Sequence, residues 1–151
     1  MASSEVAIAN LVYRYSELID SGDLEGTSRL FEHARVYMGP ELGEIDAAGV
    51  LELWRKSFIF YENGSPRCKH VITNPIIEVN EEAGTGTCRS YYTVMQQAGD
   101  GPLEAVICGR YHDEFERVDG KWRFSRRDYS LHDLPGDLSR HSKTFAANRG
   151  E

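Results

Sequence analysis

The chain has 151 residues, of which 17 are Lys or Arg and 24 are Asp or Glu, so its formal net charge is −7. Nucleic-acid binding depends largely on clustered basic residues, and this charge therefore argues against a DNA or RNA partner. The length suits a single domain, and a hydrophobic fraction of 40% predicts one core.

The start of the chain has neither the basic residues nor the continuous apolar run of a secretory signal. No stretch approaches the roughly 18 consecutive apolar residues that a membrane span needs. We therefore expect a cytoplasmic protein with no membrane partner. The odd number of cysteines, without a C-x-x-C pair, predicts reduced thiols in buried strands: Cys68, Cys88 and Cys108.

Helical periodicity dominates the first part of the chain. Apolar residues recur every three or four positions in residues 4–20 and again in residues 47–64, which predicts two amphipathic helices. A shorter helix fits residues 23–33, and Asp23 and Asp46 are the expected N-caps of the second and third helices. Residues 34–44 between these two helices are typical of a short strand and a turn.

After the third helix the apolar pattern changes to a period of two. Four strands are predicted at about residues 67–79, 84–97, 103–117 and 121–132, and short glycine-bearing links make neighbouring strands antiparallel. Helices followed by a meander predict the α+β class. We assign residues 1–133 to one domain, and residues 134–151, which lack periodicity, to a C-terminal tail or pocket cover.

The predicted third strand separates two faces. Alternation places Leu103, Ala105, Ile107, Gly109, Tyr111, Asp113 and Phe115 towards the helices, with Arg110 and His112 on the opposite face. Helices that lean on a curved sheet enclose a concave pocket, and such pockets are common ligand sites. Trp54 and Phe58 of the third helix are expected to supply apolar lining for it.

Asp20 and His70 are the strongest candidates for chemistry. Asp20 ends the first helix beside its apolar stripe, and His70 opens a strand in which Ile72 and Asn74 share its face. A hydrogen bond from the imidazole to a carboxylate would set the tautomer and create a general base. The alternatives are a core histidine bonded to a backbone carbonyl and an aspartate that only terminates its helix.

A general base needs a donor for the oxyanion that develops on the substrate. The candidate donors are Tyr13, Tyr37, Tyr111, Asn74 and Arg127, although each tyrosine could equally be core packing. Only one of the adjacent Arg126 and Arg127 can face inward, and that guanidinium needs Asp113, Asp128 or a substrate as its anion. The chain has no Gly-rich phosphate loop, nucleophile elbow or metal-ligand spacing, so we expect neither a cofactor nor a metal.

Three segments in order carry a family resemblance. "IANLVYRYSELIDSGD", "KHVITNPIIEV" and "GRYHDEFERVDGKWRFSRR" resemble signature stretches of the SnoaL-like, scytalone dehydratase-type branch of the nuclear transport factor 2-like superfamily. The resemblance covers about residues 5–130. It implies a cone-shaped α+β barrel in which three N-terminal helices pack on a strongly curved antiparallel sheet, with the active site at the open end.

The resemblance also implies a chemistry. Enzymes of this branch use a His–Asp pair, here His70 and Asp20, without metal or cofactor, and a nearby tyrosine and arginine match Tyr13 and Arg127. We therefore expect a lyase, such as a dehydratase, or an isomerase or polyketide cyclase, acting on a small apolar, cyclic substrate with a hydroxyl or carbonyl group. His112 is the nearest match to a second pocket histidine, although its alternation points away from the pocket.

Two other functions fit the same resemblance. The chain could be a non-catalytic small-molecule-binding or assembly protein, or the small subunit of a ring-hydroxylating dioxygenase. Members of this superfamily usually associate, so a homodimer or homotrimer is expected. The discriminating observation is the distance between Asp20 and His70. Hydrogen-bonding reach inside an open cavity favours catalysis, whereas separation of the two or a filled cavity favours a non-catalytic protein.

Overall fold

A computed structural model describes residues 2–143 of the chain. The helices are α1 (Ser4–Ser21), α2 (Leu24–Arg29) and α3 (Ala47–Ser57). The strands are β1 (Arg35–Tyr37), β2 (Glu44–Ile45), β3 (Cys68–Asn80), β4 (Thr85–Gln96), β5 (Glu104–Val118), β6 (Lys121–Asp128) and β7 (Leu134–Pro135). The predicted α+β class, with three helices packed on a curved and unclosed sheet, is confirmed.

The sheet has the strand order β2-β1-β6-β5-β4-β3, and β7 pairs with β5. Strands β3 to β6 form the expected antiparallel meander. The short β1 adds a parallel pairing to β6, which the strand pattern did not predict. The helix side of the sheet holds the buried core. Among residues 2–143, no helix is both long enough and apolar enough to cross a membrane.

Aspartate caps begin α2 and α3, as predicted. The side chain of Asp23 accepts from Gly26 N–H at 2.7 Å, and that of Asp46 accepts from Gly49 N–H at 2.9 Å. Helix α3 ends at Ser57, seven residues before the predicted stop. There the backbone becomes extended, and Ile59 N–H donates to the carbonyl of a distant residue at 3.2 Å, a contact that local periodicity cannot reveal.

Helix α1 ends at a glycine that holds Asp20 in place. Gly22 is the C-cap, with φ at +86°, and its N–H donates to Ile19 O at 3.1 Å. A Cβ atom at Gly22 would lie 2.5 Å from Gly64 O. Only glycine therefore allows the loop between α3 and β3 to approach the end of α1 this closely. The last turn of α1 is thereby fixed against the start of the sheet.

A β-bulge in β3 corrects the prediction for Asn74. Thr73 pairs with Tyr91 and Ile76 pairs with Arg89, so two residues of β3 lie opposite one residue of β4. Asn74 has φ at +42° and its side chain is exposed. The bulge reverses the alternation that sequence spacing assumed, and Asn74 therefore lies on the outer face of the sheet rather than in the pocket.

The predicted alternation of inward and outward side chains along β5 is confirmed for the second half of the strand. For the first half it is wrong. Tyr111 and Asp113 are buried on the helix side at 2% exposure each. Nearer the start of β5, the register shifts between Val94 and Met95 of β4. Val106 is consequently the buried residue there, at 4% exposure, whereas Leu103 is 62% exposed.

Candidate active site

The last turn of α1 and the first residues of β3 bring Asp20 and His70 together. Nδ1 of His70 lies 2.6 Å from Oδ1 of Asp20, and the backbone N–H of His70 donates to Oδ2 at 2.9 Å. The two side chains are only 5% and 8% exposed. With both carboxylate oxygens held by the same residue, the orientation of the pair is strongly restricted.

This geometry also assigns a tautomer. An ionised carboxylate can only accept hydrogen bonds, so Nδ1 of His70 carries the proton and donates it to Asp20. Nε2 then keeps its lone pair and is the basic atom of the ring. The sequence left two partners open for the imidazole, a carboxylate and a backbone carbonyl. In the structure its Nδ1 contacts the carboxylate of Asp20.

Cys68 is a third member of this cluster that sequence reasoning missed as a site residue. Its Sγ lies 3.5 Å from Oδ1 of Asp20 and 4.0 Å from Nδ1 of His70. Burial, followed by the nearby charge of Asp20, raises the pKa of the thiol, so it stays protonated at neutral pH. The signal was present in the sequence, because residues two apart on a strand share a face.

Tyr15, and not the predicted Tyr13, faces the pair. The rings of Tyr15 and His70 meet edge to face with centroids 5.9 Å apart, and Tyr15 is 2% exposed. Tyr13 is 43% exposed and therefore lies outside the core. Side chains two positions apart on a helix point about 200° away from each other. The choice between Tyr13 and Tyr15 therefore depends on the exact rotation of the helix about its axis.

Arg127 and Asp113 form a buried ion pair rather than free site groups. Two guanidinium nitrogens of Arg127 donate to the two carboxylate oxygens of Asp113 at 2.7 and 2.8 Å, and both side chains are 0% exposed. The guanidinium carbon lies 3.9 Å from the ring centroid of Tyr111 and 4.3 Å from that of Tyr15. Arg127 therefore supports the tyrosines that surround the site.

The other predicted lining residues divide between core and surface. Tyr111 stacks on Tyr92 with ring centroids 4.3 Å apart, and Trp54 contacts Tyr15 with centroids 6.3 Å apart. Both belong to the aromatic core beside the pair. Tyr37 is partly exposed, and the guanidinium carbon of Arg126 lies 5.6 Å from its ring centroid, so Tyr37 is not placed with the pair.

The C-terminal segment from Leu134 to Lys143 packs against the domain near the pair. Leu138 and His141 are 5% and 8% exposed, and the His141 ring meets the Phe58 ring edge to face at 5.2 Å. Phe58 forms an isolated β-bridge with Ser142. The rest of the predicted tail or pocket cover, residues 144–151, lies outside the described residues.

His141 is electrostatically coupled to the pair. The pKa of His141 is lowered to about 4. Burial is the largest cause, the charge of His70 adds to the lowering, and the charge of Asp20 acts in the opposite direction. Its Nδ1 is buried and has no hydrogen-bond partner among residues 2–143. No periodic pattern in the sequence surrounds His141, so its place in the fold could not be predicted.

Comparisons with known proteins support this architecture. A family model described as a SnoaL-like domain matches residues 1–128. The chain belongs to the SnoaL-like domain family. The resemblance predicted from the three sequence segments is thus confirmed. No sequence among the curated proteins matches the chain.

Solved structures share the fold of this SnoaL-like domain. ActVI-ORFA of Streptomyces coelicolor is 20% identical with a TM-score of 0.69, over 85% of this chain and 96% of that chain. A protein described as a putative scytalone dehydratase from Novosphingobium aromaticivorans is 22% identical with a TM-score of 0.64, over 87% and 91%.

A third relative is the β subunit of a putative aromatic-ring-hydroxylating dioxygenase from Novosphingobium aromaticivorans. It is 22% identical with a TM-score of 0.64, over 87% of this chain and 90% of that chain. All three identities are below 25%, so these likenesses establish the fold of the SnoaL-like domain and leave its activity to the site geometry.

Proposed function

We propose that this SnoaL-like protein is a cofactor-independent lyase or isomerase in which His70 is the general base and Asp20 its positioning partner. The observation that carries the proposal is the 2.6 Å contact between Nδ1 of His70 and Oδ1 of Asp20 in a nearly solvent-free setting. The proposed substrate class is a small, apolar, cyclic molecule with a hydroxyl or carbonyl group.

The pair can remove a proton from a carbon next to an electron-withdrawing group. Nε2 of His70 accepts the proton, and the carboxylate of Asp20 stabilises the imidazolium that forms. In an isomerisation the electron pair moves to the carbonyl oxygen, and the imidazolium returns the proton to another carbon. In a dehydration the pair forms a double bond, and the hydroxyl group leaves as water with the proton from the imidazolium. A base of this kind contributes roughly 10²- to 10⁴-fold to the rate.

Tyr15 replaces Tyr13 as the proposed donor to the developing negative charge. Burial, together with the neighbouring Tyr111, raises the pKa of Tyr15, so its hydroxyl remains protonated and can donate a hydrogen bond. Its ring touches that of His70 and lies beside the guanidinium of Arg127. Arg127 then acts through Tyr15 as a positioning residue.

Substrate entry requires the C-terminal segment, Leu134 to Lys143, to move. The side chains of Asp20 and His70 are almost fully covered, and the buried His141 lies close enough for the charges of both to act on its pKa. Phe58, whose ring meets that of His141, and the aromatic core border this region, which favours an apolar substrate. Closure over the bound substrate would exclude water from the proton-transfer step.

The test is a screen of cyclic hydroxy and carbonyl compounds, followed by kinetics of site variants on any compound that turns over. His70→Ala should lower kcat/KM by about 10²- to 10⁴-fold, and Asp20→Asn by about 10²-fold or more, because the wrong tautomer is favoured. His112→Ala, on the outer face of the sheet, is the matched control and should leave the rate unchanged. Undiminished rates in both pair variants would contradict the proposal.

A homo-oligomer formed by a second copy of this chain is the second part of the proposal. Val71, Ile76 and Tyr91 lie on the outer face of β3 and β4 and are 43%, 50% and 52% exposed. Neighbouring exposed apolar side chains of this kind mark protein contacts. They favour assembly through the outer face, away from the Asp20–His70 pair.

Mass measurement by light scattering tests the assembly. The chain should have the mass of a dimer or trimer, and Tyr91→Asp should shift it to a monomer. Leu42→Asp alters a loop residue with 56% exposure and should leave the mass unchanged. A monomeric parent chain would refute this part, and a stably co-purifying larger chain would instead favour the small-subunit alternative that the dioxygenase relative suggests.

A further inference from the structure

Three chemically different side chains converge at the junction of α1 and β3. The carboxylate of Asp20, the thiol of Cys68 and the imidazole of His70 each offer one donor atom, and these atoms lie within 4.8 Å of one another. The individual separations are 2.6 Å from Oδ1 to Nδ1, 3.5 Å from Oδ1 to Sγ and 4.0 Å from Sγ to Nδ1.

This triangle is close to the face of a tetrahedral coordination sphere. With zinc bonds of about 2.1 Å to oxygen and nitrogen and about 2.3 Å to sulfur, a tetrahedron has an edge of about 3.4 Å between nitrogen and oxygen and edges of about 3.6 Å to sulfur. The separation between Oδ1 and Sγ already fits. The other two require shifts of less than about 1 Å, which side-chain rotations can supply.

The donor set also fits the charge of a divalent ion. A carboxylate and a thiolate together neutralise a 2+ charge, so the ion can be held in a site that is nearly closed to solvent. On binding, the thiol proton passes to solvent and the imidazole carries its proton on Nε2 instead of Nδ1, which leaves both donor atoms free. Thiolate and imidazole favour zinc-class ions over magnesium or calcium.

The surroundings hold one of the ligands in place. The backbone N–H of His70 donates to Oδ2 of Asp20 at 2.9 Å, which leaves Oδ1 directed towards the other two donors. Such hydrogen bonds to the free atom of a ligating group orient metal ligands. His141 is packed near the pair, and its buried Nδ1 has no hydrogen-bond partner among residues 2–143. This is a second buried polar atom in the region that a ligand could satisfy.

We propose that Asp20, Cys68 and His70 form a binding site for a zinc-class divalent cation, with a fourth position left for water. The site does not depend on the proposed catalysis. It has a consequence for that function, because an ion on Nδ1 of His70 and Oδ1 of Asp20 replaces the hydrogen bond between them. Bound cation would then inhibit proton abstraction.

Cadmium titration of the chelator-treated full chain tests the site directly. Cadmium bound to one thiolate gives an ultraviolet charge-transfer band, which should saturate at one ion per chain. Cys68→Ser should abolish the band, and Cys108→Ser, which removes a thiol elsewhere, should preserve it. Asp20→Asn and His70→Gln should weaken binding about tenfold or more. A band that persists in Cys68→Ser, or none in the parent chain, would overturn the proposal.

Protection from alkylation gives a second measurement that needs no variant. Zinc should slow alkylation of Cys68 relative to Cys88, which is also buried and lies outside the cluster, as followed by mass spectrometry of peptides. Equal effects of zinc on both cysteines would contradict the assignment. Neither readout uses enzymatic turnover, so failure of the metal site and failure of the proposed catalysis are distinguishable.

Discussion

At the residue scale, the site rests on buried polar groups that satisfy one another. Asp20 receives two contacts from His70, and Asp113 receives two from Arg127. Buried charges are costly unless they are paired, so each of these residues depends on its partner. The sequence suggested both pairs, because it placed Asp20, His70 and Asp113 towards the pocket and required one of Arg126 and Arg127 to face inward. It could not exclude a substrate as the partner of Arg127.

The Arg127–Asp113 pair predicts an asymmetric response to mutation. Arg127→Met should lower the free energy of unfolding by about 3–5 kcal/mol, because Asp113 is left as an unpaired buried charge. Adding Asp113→Leu should recover much of that loss. The measurement is urea denaturation of both variants.

An exposed ion pair supplies the control for this experiment. The side chains of Arg110 and Asp133 are 40% and 44% exposed, and their contact is 2.7 Å. Arg110→Met should therefore cost no more than about 1 kcal/mol. Similar losses at Arg110 and Arg127 would refute the view that burial makes the inner pair indispensable.

At the element scale, the ends of helices and strands decide which residues reach the site. Aspartate caps were readable from sequence because a cap is satisfied within three residues. The end of α3 and the bulge at Asn74 could not be predicted from the sequence, because both involve contacts with distant segments. The bulge alone removed one predicted donor from the site.

Gly22 gives a prediction for the end of α1. Gly22→Ala should destabilise the protein by more than about 2 kcal/mol, because alanine resists the left-handed conformation and its Cβ would meet Gly64 O. Gly120 has φ at +77° but open space around it, so Gly120→Ala should cost only about 1 kcal/mol. Thermal or urea unfolding measures both, and equal losses would show that the approach of Gly64 is unimportant.

At the scale of the whole molecule, the C-terminal segment closes the domain near the site. Strand β7 joins β5, and Leu138 and His141 are buried. Gln96 holds the segment through a hydrogen bond from its side-chain amide to Arg140 O at 3.1 Å. The segment that follows residue 133 therefore packs on the domain, and the boundary at residue 133 stays a prediction.

His141 makes the packing of this segment dependent on pH. Its pKa of about 4 in the folded chain is below the ordinary value of 6.5, because burial and then the charge of His70 disfavour protonation, against the opposing effect of Asp20. Protons therefore bind preferentially to the unfolded chain. The contribution to stability is complete above about pH 6.5 and is lost as the pH falls towards 4, up to roughly 3 kcal/mol.

His141→Asn, which cannot titrate in this range, isolates that contribution. The difference in unfolding free energy between the parent chain and this variant should decrease as the pH falls from 7 to 4, when measured by urea denaturation. A constant difference for His141→Asn would contradict a buried neutral imidazole.

The sequence by itself determined the order of the three helices and of the four long strands β3 to β6, the family, and two members of the candidate site, Asp20 and His70. Periodicity and capping act over a few residues, so they can be read locally. Only the tertiary structure decided that Tyr15 and Cys68 join that pair and that His141 returns beside it. These choices depend on helix phase, strand register and packing between distant segments, which are settled when the whole core is formed.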